Sequence, residues 1–444
     1  MHAHAEFKPR AEYAIMSQYI PGRDSDATPT FSLDKQFGEL ELVGTVMSYK
    51  YLNKSFWSGI GVGGSIMSAP VFHKGSVLFG ACDRNFYCLD AEGKEIWKLR
   101  TGGTILCDGT VHDGVVFFGS SDSNVYAASC EDGKVLWKFP TKGPVIGFTL
   151  VHKGAVYSGS SDYNIYGMDE RTGRELLKFP TTGIQTGVFE KDDVLYFGYE
   201  GQTFYAYDTK VRKLLWTFRT QKDACGWKGG FWKENVYIGS VEGNVYAINA
   251  KTGALVWKFP TGNIAFHPYV SGDRVYFGSM DFNVYCLEAE TGRLAWKFRT
   301  GGLVGNVIES GGKVYFGSYD NNAYCLDAST GRELWRFRTS GFVNNVSLND
   351  GRLYAGSWDC HLYCLEAETG KLIWKFKTPL GKPSRIEPPE TGIVTSAQVV
   401  WQALEEEKAG TKLAGATLTD YGKAESEYAG AGKGDYLRKK RGYV

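Results

Sequence analysis

Residues 314–339, VYFGSYDNNAYCLDASTGRELWRFRT, contain the unit from which the chain is built. The letters VYFGS predict a strand, because β-branched and aromatic residues favour strands. A polar turn at residues 318–321, a second strand and a Thr330-Gly331 turn follow, and a third strand ends with Trp335 and Phe337. Asn, Asp, Ser and Gly favour turns because they tolerate left-handed conformations or bond to their own backbone.

This unit occurs eight times, with its anchor position in the last strand repeating every 39 to 41 residues. The anchors are Trp97, Trp137, Leu177, Trp216, Trp257, Trp296, Trp335 and Trp374. Every copy ends an earlier strand with a glycine and has a tyrosine seven residues later: Gly80 and Tyr87, Gly119 and Tyr126, Gly159 and Tyr166, Gly198 and Tyr205, Gly239 and Tyr246, Gly278 and Tyr285, Gly317 and Tyr324, Gly356 and Tyr363. Repeats of about 40 residues with strand patterning and a tryptophan are typical of propeller blades.

Each copy also begins with a further strand, such as SIMSAPVF at residues 65–72, so a blade has four strands. The sequence therefore predicts an all-β, eight-bladed β-propeller in which every blade uses four consecutive strands and blade 8 packs against blade 1. Five copies carry an Asp-x-Asn turn, at residues 83–85, 122–124, 162–164, 281–283 and 320–322.

Two copies depart from the pattern. Copy 3 has Leu177 where the others have tryptophan, and copy 4 lacks the turn glycine at residues 210–212. Copy 4 also contains the longer insert QKDACGWKGG at residues 221–230.

Three regions follow from these patterns. Residues 1–62 read as an extended arm with one strand at 38–52 that could pair with an outer blade edge, and residues 63–378 form the propeller. Residues 379–444 comprise a Pro-rich linker, an amphipathic helix at 395–410 and an extended basic tail. The helix places Val400, Trp401 and Leu404 on one apolar stripe.

Composition and charge narrow the function classes. The chain has 444 residues, 43% of them hydrophobic, and a formal net charge of +1. No overall field would therefore recruit nucleic acid or an anionic membrane. The N-terminus shows no apolar run of signal-peptide length, and no stretch reaches the roughly 18 apolar residues that span a bilayer. We expect a soluble, cytoplasmic protein.

The cysteines are predicted to be reduced core thiols. Four of them, Cys88, Cys286, Cys325 and Cys364, occupy one repeat position where other copies have alanine or glycine. Such a position needs a small buried side chain, which a free cysteine supplies. Equivalent positions on neighbouring blades should be too far apart for a disulfide.

The signature D-A-x-T-G-x-x-x-W, present at residues 327–335, resembles the repeat of the pyrroloquinoline-quinone (PQQ) enzyme propellers and of their non-enzymatic relatives. The resemblance covers about 315 residues in eight copies. It implies that each tryptophan packs on the neighbouring blade. Since that family includes dehydrogenases, assembly scaffolds and sensor domains, the fold alone does not select a function.

A quinoprotein-type dehydrogenase is one hypothesis that the resemblance raises. It would need a cofactor pocket on the axis with a tryptophan floor, a calcium ion held by carboxylate and amide oxygens, and a catalytic aspartate. The uniform blade spacing leaves little chain for such a pocket, so we expect no cofactor and no catalysis. A small-ligand sensor is the related alternative, and its candidate axial residues are Asp108, Asp223, Trp227, Lys228, His267, Asn306 and Asn345. These polar residues could also simply solvate a water-filled channel.

Two patterns that suggest metals have simpler interpretations. His73, His112 and His152 recur at the first hairpin of copies 1 to 3, where equivalent points lie too far apart to share one ion. The Asp-x-Asn turns each offer too few oxygens for calcium. Both sets are predicted to be turn residues.

The sequence best fits a non-catalytic scaffold that binds protein partners or a second copy of itself. Aromatic and basic residues in turns are typical interface anchors, and the terminal arms are too polar to fold alone. Nucleic acid is expected, if at all, only at the basic end. The candidate partner-binding residues are Arg84, Tyr163, Phe282, Tyr319, Trp358, Trp401, Arg438, Lys439, Lys440 and Arg441.

Overall fold

The computed structural model describes residues 64–181, 187–198, 202–221 and 224–379, without the side chains of residues 224–227. These residues form 32 strands in eight four-stranded antiparallel sheets. Each sheet uses four consecutive strands. The prediction of an all-β, eight-bladed propeller with contiguous blades is confirmed. The arm with its strand at 38–52 and the helix at 395–410 lie outside the described residues.

The first four blades consist of strands β1 to β16. Their bounds are β1 (Val71–His73), β2 (Ser76–Gly80), β3 (Asn85–Leu89), β4 (Glu95–Arg100), β5 (Thr110–His112), β6 (Val115–Ser120), β7 (Asn124–Ser129), β8 (Val135–Pro140), β9 (Thr149–His152), β10 (Ala155–Ser160), β11 (Asn164–Asp169), β12 (Glu175–Pro180), β13 (Val188–Lys191), β14 (Val194–Phe197), β15 (Thr203–Asp208) and β16 (Lys213–Arg219).

The last four blades consist of strands β17 to β32. Their bounds are β17 (Ala224–Trp232), β18 (Asn235–Ser240), β19 (Asn244–Asn249), β20 (Leu255–Pro260), β21 (Tyr269–Ser271), β22 (Arg274–Gly278), β23 (Asn283–Glu288), β24 (Leu294–Arg299), β25 (Val304–Ser310), β26 (Lys313–Ser318), β27 (Asn322–Asp327), β28 (Glu333–Arg338), β29 (Val343–Asn349), β30 (Arg352–Ser357), β31 (His361–Glu366) and β32 (Leu372–Lys377). Within the described residues, no helix has the length and apolar character needed to cross a membrane.

The core lies between blades rather than inside one layer. The second and third strands of a blade, such as β26 and β27, are buried almost throughout because a neighbouring sheet covers each face. Eight interior clusters of apolar side chains result, one at each boundary between consecutive blades. We call each such boundary a seam.

The anchor tryptophan links each blade to the next one. The indole N–H donates to a backbone carbonyl on the following blade at 2.8–3.1 Å in seven seams, among them Trp296 to Ala328 and Trp335 to Ala367. The same indole covers the turn glycine of that blade, where φ is about +70 to +83°. A Cβ on that glycine would come within 2.6–2.8 Å of the indole, so the turn tolerates no side chain.

The seam between blades 3 and 4 lacks both halves of this contact. Leu177 replaces the tryptophan, and Arg212, at φ +53°, replaces the glycine. The two departures noted in the sequence, one in copy 3 and one in copy 4, therefore face the same seam. Without an indole, the turn has room for the arginine Cβ.

The small residue at the recurring cysteine position is explained by its cross-strand partner. Cys88, Cys286, Cys325 and Cys364 each pair with the anchor tryptophan of the same blade, next to a register shift. All four are fully buried, and the eight cysteines whose side chains are described are free thiols. The predicted burial is confirmed for seven of these eight, and Cys107 is only partly buried.

Blade 8 closes directly onto blade 1. Trp374 donates to the carbonyl of Ala91 at 2.9 Å, and the Ile66 N–H donates to the carbonyl of Ser357 at 3.0 Å. The side chains of Asn344 and Asn345 both donate to the carbonyl of Met67. The last seam thus has the same tryptophan contact as the regular seams.

Candidate functional site

The second turns of the blades lie on one face of the propeller, which we call the turn face; residues 199–201 of the turn in blade 4 are outside the described residues. In the Asp-x-Asn turns the middle residue has a left-handed backbone, with φ between +66 and +71°. The carboxylate of Asp320 accepts the Asn322 N–H at 3.1 Å and the Tyr324 hydroxyl at 2.7 Å. It also accepts the Gly301 N–H at 2.9 Å, from the chain leaving the previous blade. One aspartate therefore fixes the turn, the third strand and the crossover between blades.

The same arrangement recurs around the propeller. Asp122, Asp162, Asp281 and Asp359 each accept one tyrosine hydroxyl and one N–H from the preceding crossover, at 2.6–2.9 Å. Burial, followed by the contact with Asp122, raises the pKa of the Tyr126 hydroxyl well above its ordinary value. The role of these turns is structural, as the sequence predicted.

The tips of these turns differ in exposure. Arg84 is exposed, Tyr163 is 45% exposed, and Phe282 is half-buried with the Arg299 guanidinium 5.7 Å from its ring centre. Rigid turns thus hold an aromatic or basic side chain outward on blades 1, 3 and 6. Arg84 and Tyr163 are exposed as the sequence predicted, whereas Phe282 is only partly exposed. That these residues contact a partner stays a prediction.

Trp358 and Tyr319 were also expected to be exposed turn residues, and both are less exposed than expected. Trp358 is only 5% exposed, so the prediction that it is an exposed turn residue is wrong. It packs against Phe342 at 5.4 Å and Tyr319 at 5.7 Å between ring centres. Tyr319 is half-buried and donates its hydroxyl to the Asn344 side chain at 2.9 Å. In blades 7 and 8 the side chain directly before the turn aspartate, Tyr319 or Trp358, packs into the propeller. The sequence pattern did not reveal this.

Side chains meet across the axis of the propeller. Lys228 of blade 5 reaches Asp108, at the entrance of blade 2, with its Nζ 2.9 Å from Oδ2. The Lys228 Nζ also lies 4.1 Å from the ring centre of Phe148, at the entrance of blade 3. Phe148 in turn contacts His267, at the entrance of blade 6, edge to face at 5.8 Å. The axis is therefore crossed by contacts between blades that are not neighbours, rather than lined only by solvated polar groups.

These crossing side chains form the floor of a cavity of about 380 Å³. Its walls are the inner strands of blades 1 and 5 to 8, where Val270 and Ile308 are partly exposed apolar side chains and Val307 and Val346 are buried in the seams. Five of the seven predicted axial residues line it: Asp108, Lys228, His267, Asn306 and Asn345. We call this space the axial cavity.

The polar groups of the axial cavity are unequally available. The Asp108 side chain is only 9% exposed and also accepts the Ala69 N–H at 2.6 Å, whereas the Lys228 side chain is 48% exposed. Removal from water and the nearby Lys228 charge lower the pKa of His267 to about 3, so this imidazole is neutral at physiological pH. Of these three side chains, Lys228 is the charged one that is accessible from the cavity.

The two asparagines serve the propeller itself. The Asn306 side chain bridges blade 8 by donating to the Val346 carbonyl at 3.1 Å and accepting the Val346 N–H at 3.0 Å. Asn345 donates to the Met67 carbonyl at 2.9 Å. Both amides hydrogen-bond to backbone groups of another blade that would otherwise be unpaired.

The other candidate residues lie outside the description. Asp223, Trp401 and the basic end at 438–441 are not among the described residues, and the side chain of Trp227 is not described. Phe148 was missed from the sequence, because an apolar residue beside an inner strand looks like ordinary core.

The recurring histidines, predicted to be turn residues, are the last residues of the first strands of their blades, next to the turn. His112 bonds to Glu170 of blade 3 at 2.5 Å, and His152 lies 2.9 Å from Asp193 and 3.3 Å from Glu190 of blade 4. Lys153 also pairs with Asp193. Charged contacts therefore connect blades 3 and 4, at the seam without a tryptophan.

Eight blades surround an axis that side chains cross, with tryptophan contacts at seven seams and turn aspartates linking consecutive blades at five. These features define the class of this protein as an eight-bladed β-propeller. The chain belongs to the family described as outer membrane protein assembly factor BamB, whose model matches residues 46–183, 200–307 and 281–420.

Solved structures share the fold at low sequence identity. The computationally designed Ika8 protein is 18% identical with a TM-score of 0.62, covering 72% of this chain and 98% of that one. BamB from Moraxella catarrhalis is 19% identical with a TM-score of 0.57, covering 65% and 91%. Sqt1 from Saccharomyces cerevisiae is 13% identical with a TM-score of 0.59, covering 71% and 96%.

Among curated proteins, the quinohemoprotein alcohol dehydrogenase of Comamonas testosteroni is 29% identical over 85 residues. The match covers 17% of this chain and 12% of that enzyme. The shared stretch is therefore about two repeats long.

The described lining of the axial cavity does not fit a calcium-bound quinone. Calcium takes 6–8 oxygen ligands, and the cavity lining contributes one carboxylate, Asp108, which is already paired with Lys228. The amide N–H groups of Asn306 and Asn345 are bonded to backbone carbonyls. A cationic lysine occupies the place where a calcium site would need further oxygens.

Proposed function

We propose that this protein is a non-catalytic scaffold that holds partner proteins on its turn face. One observation carries the proposal: Arg84, Tyr163 and Phe282 project from turns whose backbone is locked by aspartate hydrogen bonds. Side chains held in place lose little entropy on binding, and Tyr, Trp and Arg dominate the energetics of interfaces. Membership of a family described as an assembly factor supports the same conclusion.

The terminal regions extend this scaffold in the proposal. Trp401, on its predicted apolar stripe, and the basic residues at 438–441 would contact the partner or a second copy. Deleting residues 379–444 should leave the propeller folded and abolish association. Loss of the fold would show instead that the tail is structural.

The first experiment isolates the native protein and maps its contacts. Chemical cross-linking with mass spectrometry on the purified assembly should give intermolecular links that cluster on the turn face. Replacing Arg84, Tyr163 and Phe282 together by alanine should weaken the assembly. Lys94→Ala, an exposed change in a third turn on the opposite face, is the matched control. Equal effects of the two variants would contradict the proposal.

The enzyme alternative gives an opposite set of results. A lone 49.2 kDa monomer that reduces a dye with alcohols after addition of quinone and calcium would support a quinoprotein-type dehydrogenase. The short match to the Comamonas enzyme is the observation that favours this alternative. A sensor would also be monomeric but would bind a small molecule without turnover.

We also propose a cytoplasmic location. Disulfides are rare in reducing compartments, and the eight described cysteines form no disulfide. Fractionation of the native source with an antibody against the propeller tests this directly. Recovery in an oxidising compartment would refute it.

A further inference from the structure

We propose that the axial cavity is a binding site for a small carboxylate with an apolar body. This inference is independent of the scaffold function, because it concerns the axis and not the turn face. It rests on the volume of the cavity, on the unequal exposure of its two charged side chains and on its apolar walls.

The volume of the cavity suits one small molecule. About 380 Å³ lies in the range of 300–1,000 Å³ typical of ligand pockets. It equals roughly a dozen water molecules at ~30 Å³ each. A carboxylic acid such as benzoate or hexanoate therefore fits.

The charge that faces the cavity is positive. Asp108 and Lys228 form an ion pair, but the carboxylate is 9% exposed and the lysine side chain 48% exposed. Asp108 accepts one N–H of the ammonium, and the face of Phe148 lies beside it at 4.1 Å. An ammonium has three donors, so Lys228 retains hydrogen-bonding capacity toward an acceptor in the cavity.

Asp108 then acts as the positioning residue for Lys228. Its carboxylate is fixed by the Ala69 N–H at 2.6 Å, and it holds the lysine across the axis. Charge-assisted hydrogen bonds between an ammonium and a carboxylate are about twice as strong as neutral ones. A carboxylate ligand would therefore bind at Lys228, on the side away from Asp108.

The apolar residues of the cavity wall favour an apolar group in the rest of the ligand. Val307 and Val346 are buried in the seams, and the partly exposed Val270 and Ile308 present apolar surface to the cavity. Burying apolar area is favourable at about 25 cal/mol per Å². An apolar chain or ring would lie against these residues. A ligand with a second charge would leave that charge unpaired among them.

Calorimetry on the full-length protein tests the proposal with benzoate and hexanoate as probes. Benzamide and hexanamide are the matched neutral compounds. We expect saturable binding of at least one acid in the millimolar range or below, and at least tenfold weaker binding of its amide. No saturable binding of either acid, or equal binding of acid and amide, would overturn the proposal.

Variants locate the site. Lys228→Arg should retain binding, and Lys228→Met should lose at least tenfold in affinity. Because Lys228→Met leaves a buried carboxylate unpaired, the double variant Asp108→Asn/Lys228→Met provides a form in which neither charge remains, and it should also lose binding. Lys297→Met, on an outer strand, is the control. Undiminished binding by the folded double variant would refute the assignment.

Discussion

The seam between blades 3 and 4 allows the role of the tryptophan contact to be measured by rebuilding it. Leu177→Trp supplies the missing indole, and Arg212→Gly supplies the missing glycine. In each of the seven regular seams a Cβ on the glycine would lie within 2.6–2.8 Å of the indole. The tryptophan should therefore fit only when the glycine is also present.

The expected gain follows from burial and one hydrogen bond. Burying about 150 Å² of indole at ~25 cal/mol per Å² contributes roughly 4 kcal/mol, and Leu177, which is only partly buried, already contributes about 1–2 kcal/mol. The indole N–H would reach the carbonyl of Thr209, the counterpart of Ala328 and Ala367, and add about 1 kcal/mol. The double variant should thus be about 3–4 kcal/mol more stable than the wild type.

The single variants should behave differently. Leu177→Trp alone should destabilise, because overpacking costs about 1–3 kcal/mol. Arg212→Gly alone should change stability by less than about 1 kcal/mol, because relief of the left-handed backbone offsets the added flexibility. The coupling between the two sites should therefore reach at least about 2 kcal/mol.

Guanidinium unfolding of the four proteins, followed by tryptophan-independent far-UV circular dichroism, measures this coupling. The reverse cycle at a regular seam, with Trp296→Leu and Gly331→Arg, is the control. In that cycle, Gly331→Arg alone should lower the free energy of unfolding the most. Adding Trp296→Leu should restore part of the loss. Additive effects, with a coupling below about 0.5 kcal/mol in both cycles, would refute the reasoning.

Three further predictions test other contacts. Asp320→Ala should cost about 2–4 kcal/mol in the free energy of unfolding, because a carboxylate that accepts four hydrogen bonds is lost. A cost below about 0.5 kcal/mol in denaturant titrations would contradict this. Burial raises the pKa of Cys286 and of Cys325 to about 12, so a thiol reagent at pH 8 should label both only after unfolding. The hydrogen bond to Glu170 raises the pKa of His112, so its stabilisation should be present below pH ~6.5 and be lost as pH rises through the folded-state pKa. Comparing wild type with His112→Gln across pH 5 to 9 measures the last effect, which should be small because the side chain is 48% exposed; a difference that grows toward high pH would reverse the assigned sign.

Much of the turn face could be foreseen. The spacing of Tyr324 from Asp320 repeats in the sequence, and a left-handed tip such as Tyr163 follows from the Asp-x-Asn pattern. Exposure of the tip side chain does not follow from this geometry, because Ser123 has the same backbone and is only 3% exposed. The burial of Trp358 could not be foreseen, because it depends on Phe342 and Tyr319, which come from neighbouring segments of the propeller.

The axial cavity was foreseen only as a set of polar residues. Lys228 and Asp108 are 120 positions apart, and no periodic pattern relates them. Their pairing requires that blades 2 and 5 face each other across the axis. Phe148 carried no polar signal, although it contributes a wall of the same site.

The number of blades, the strands in each blade and the seams could be read from the amino-acid sequence, because these depend on repeated local patterns of strand, turn and anchor. Both halves of the exception, Leu177 and Arg212, were also visible there, in different copies. The folded propeller was needed to see that these two residues lie at the same seam, and that a lysine and a buried aspartate meet on the axis. Closing the propeller brings together side chains that are distant in the chain, and their contacts depend on that geometry rather than on any repeated spacing.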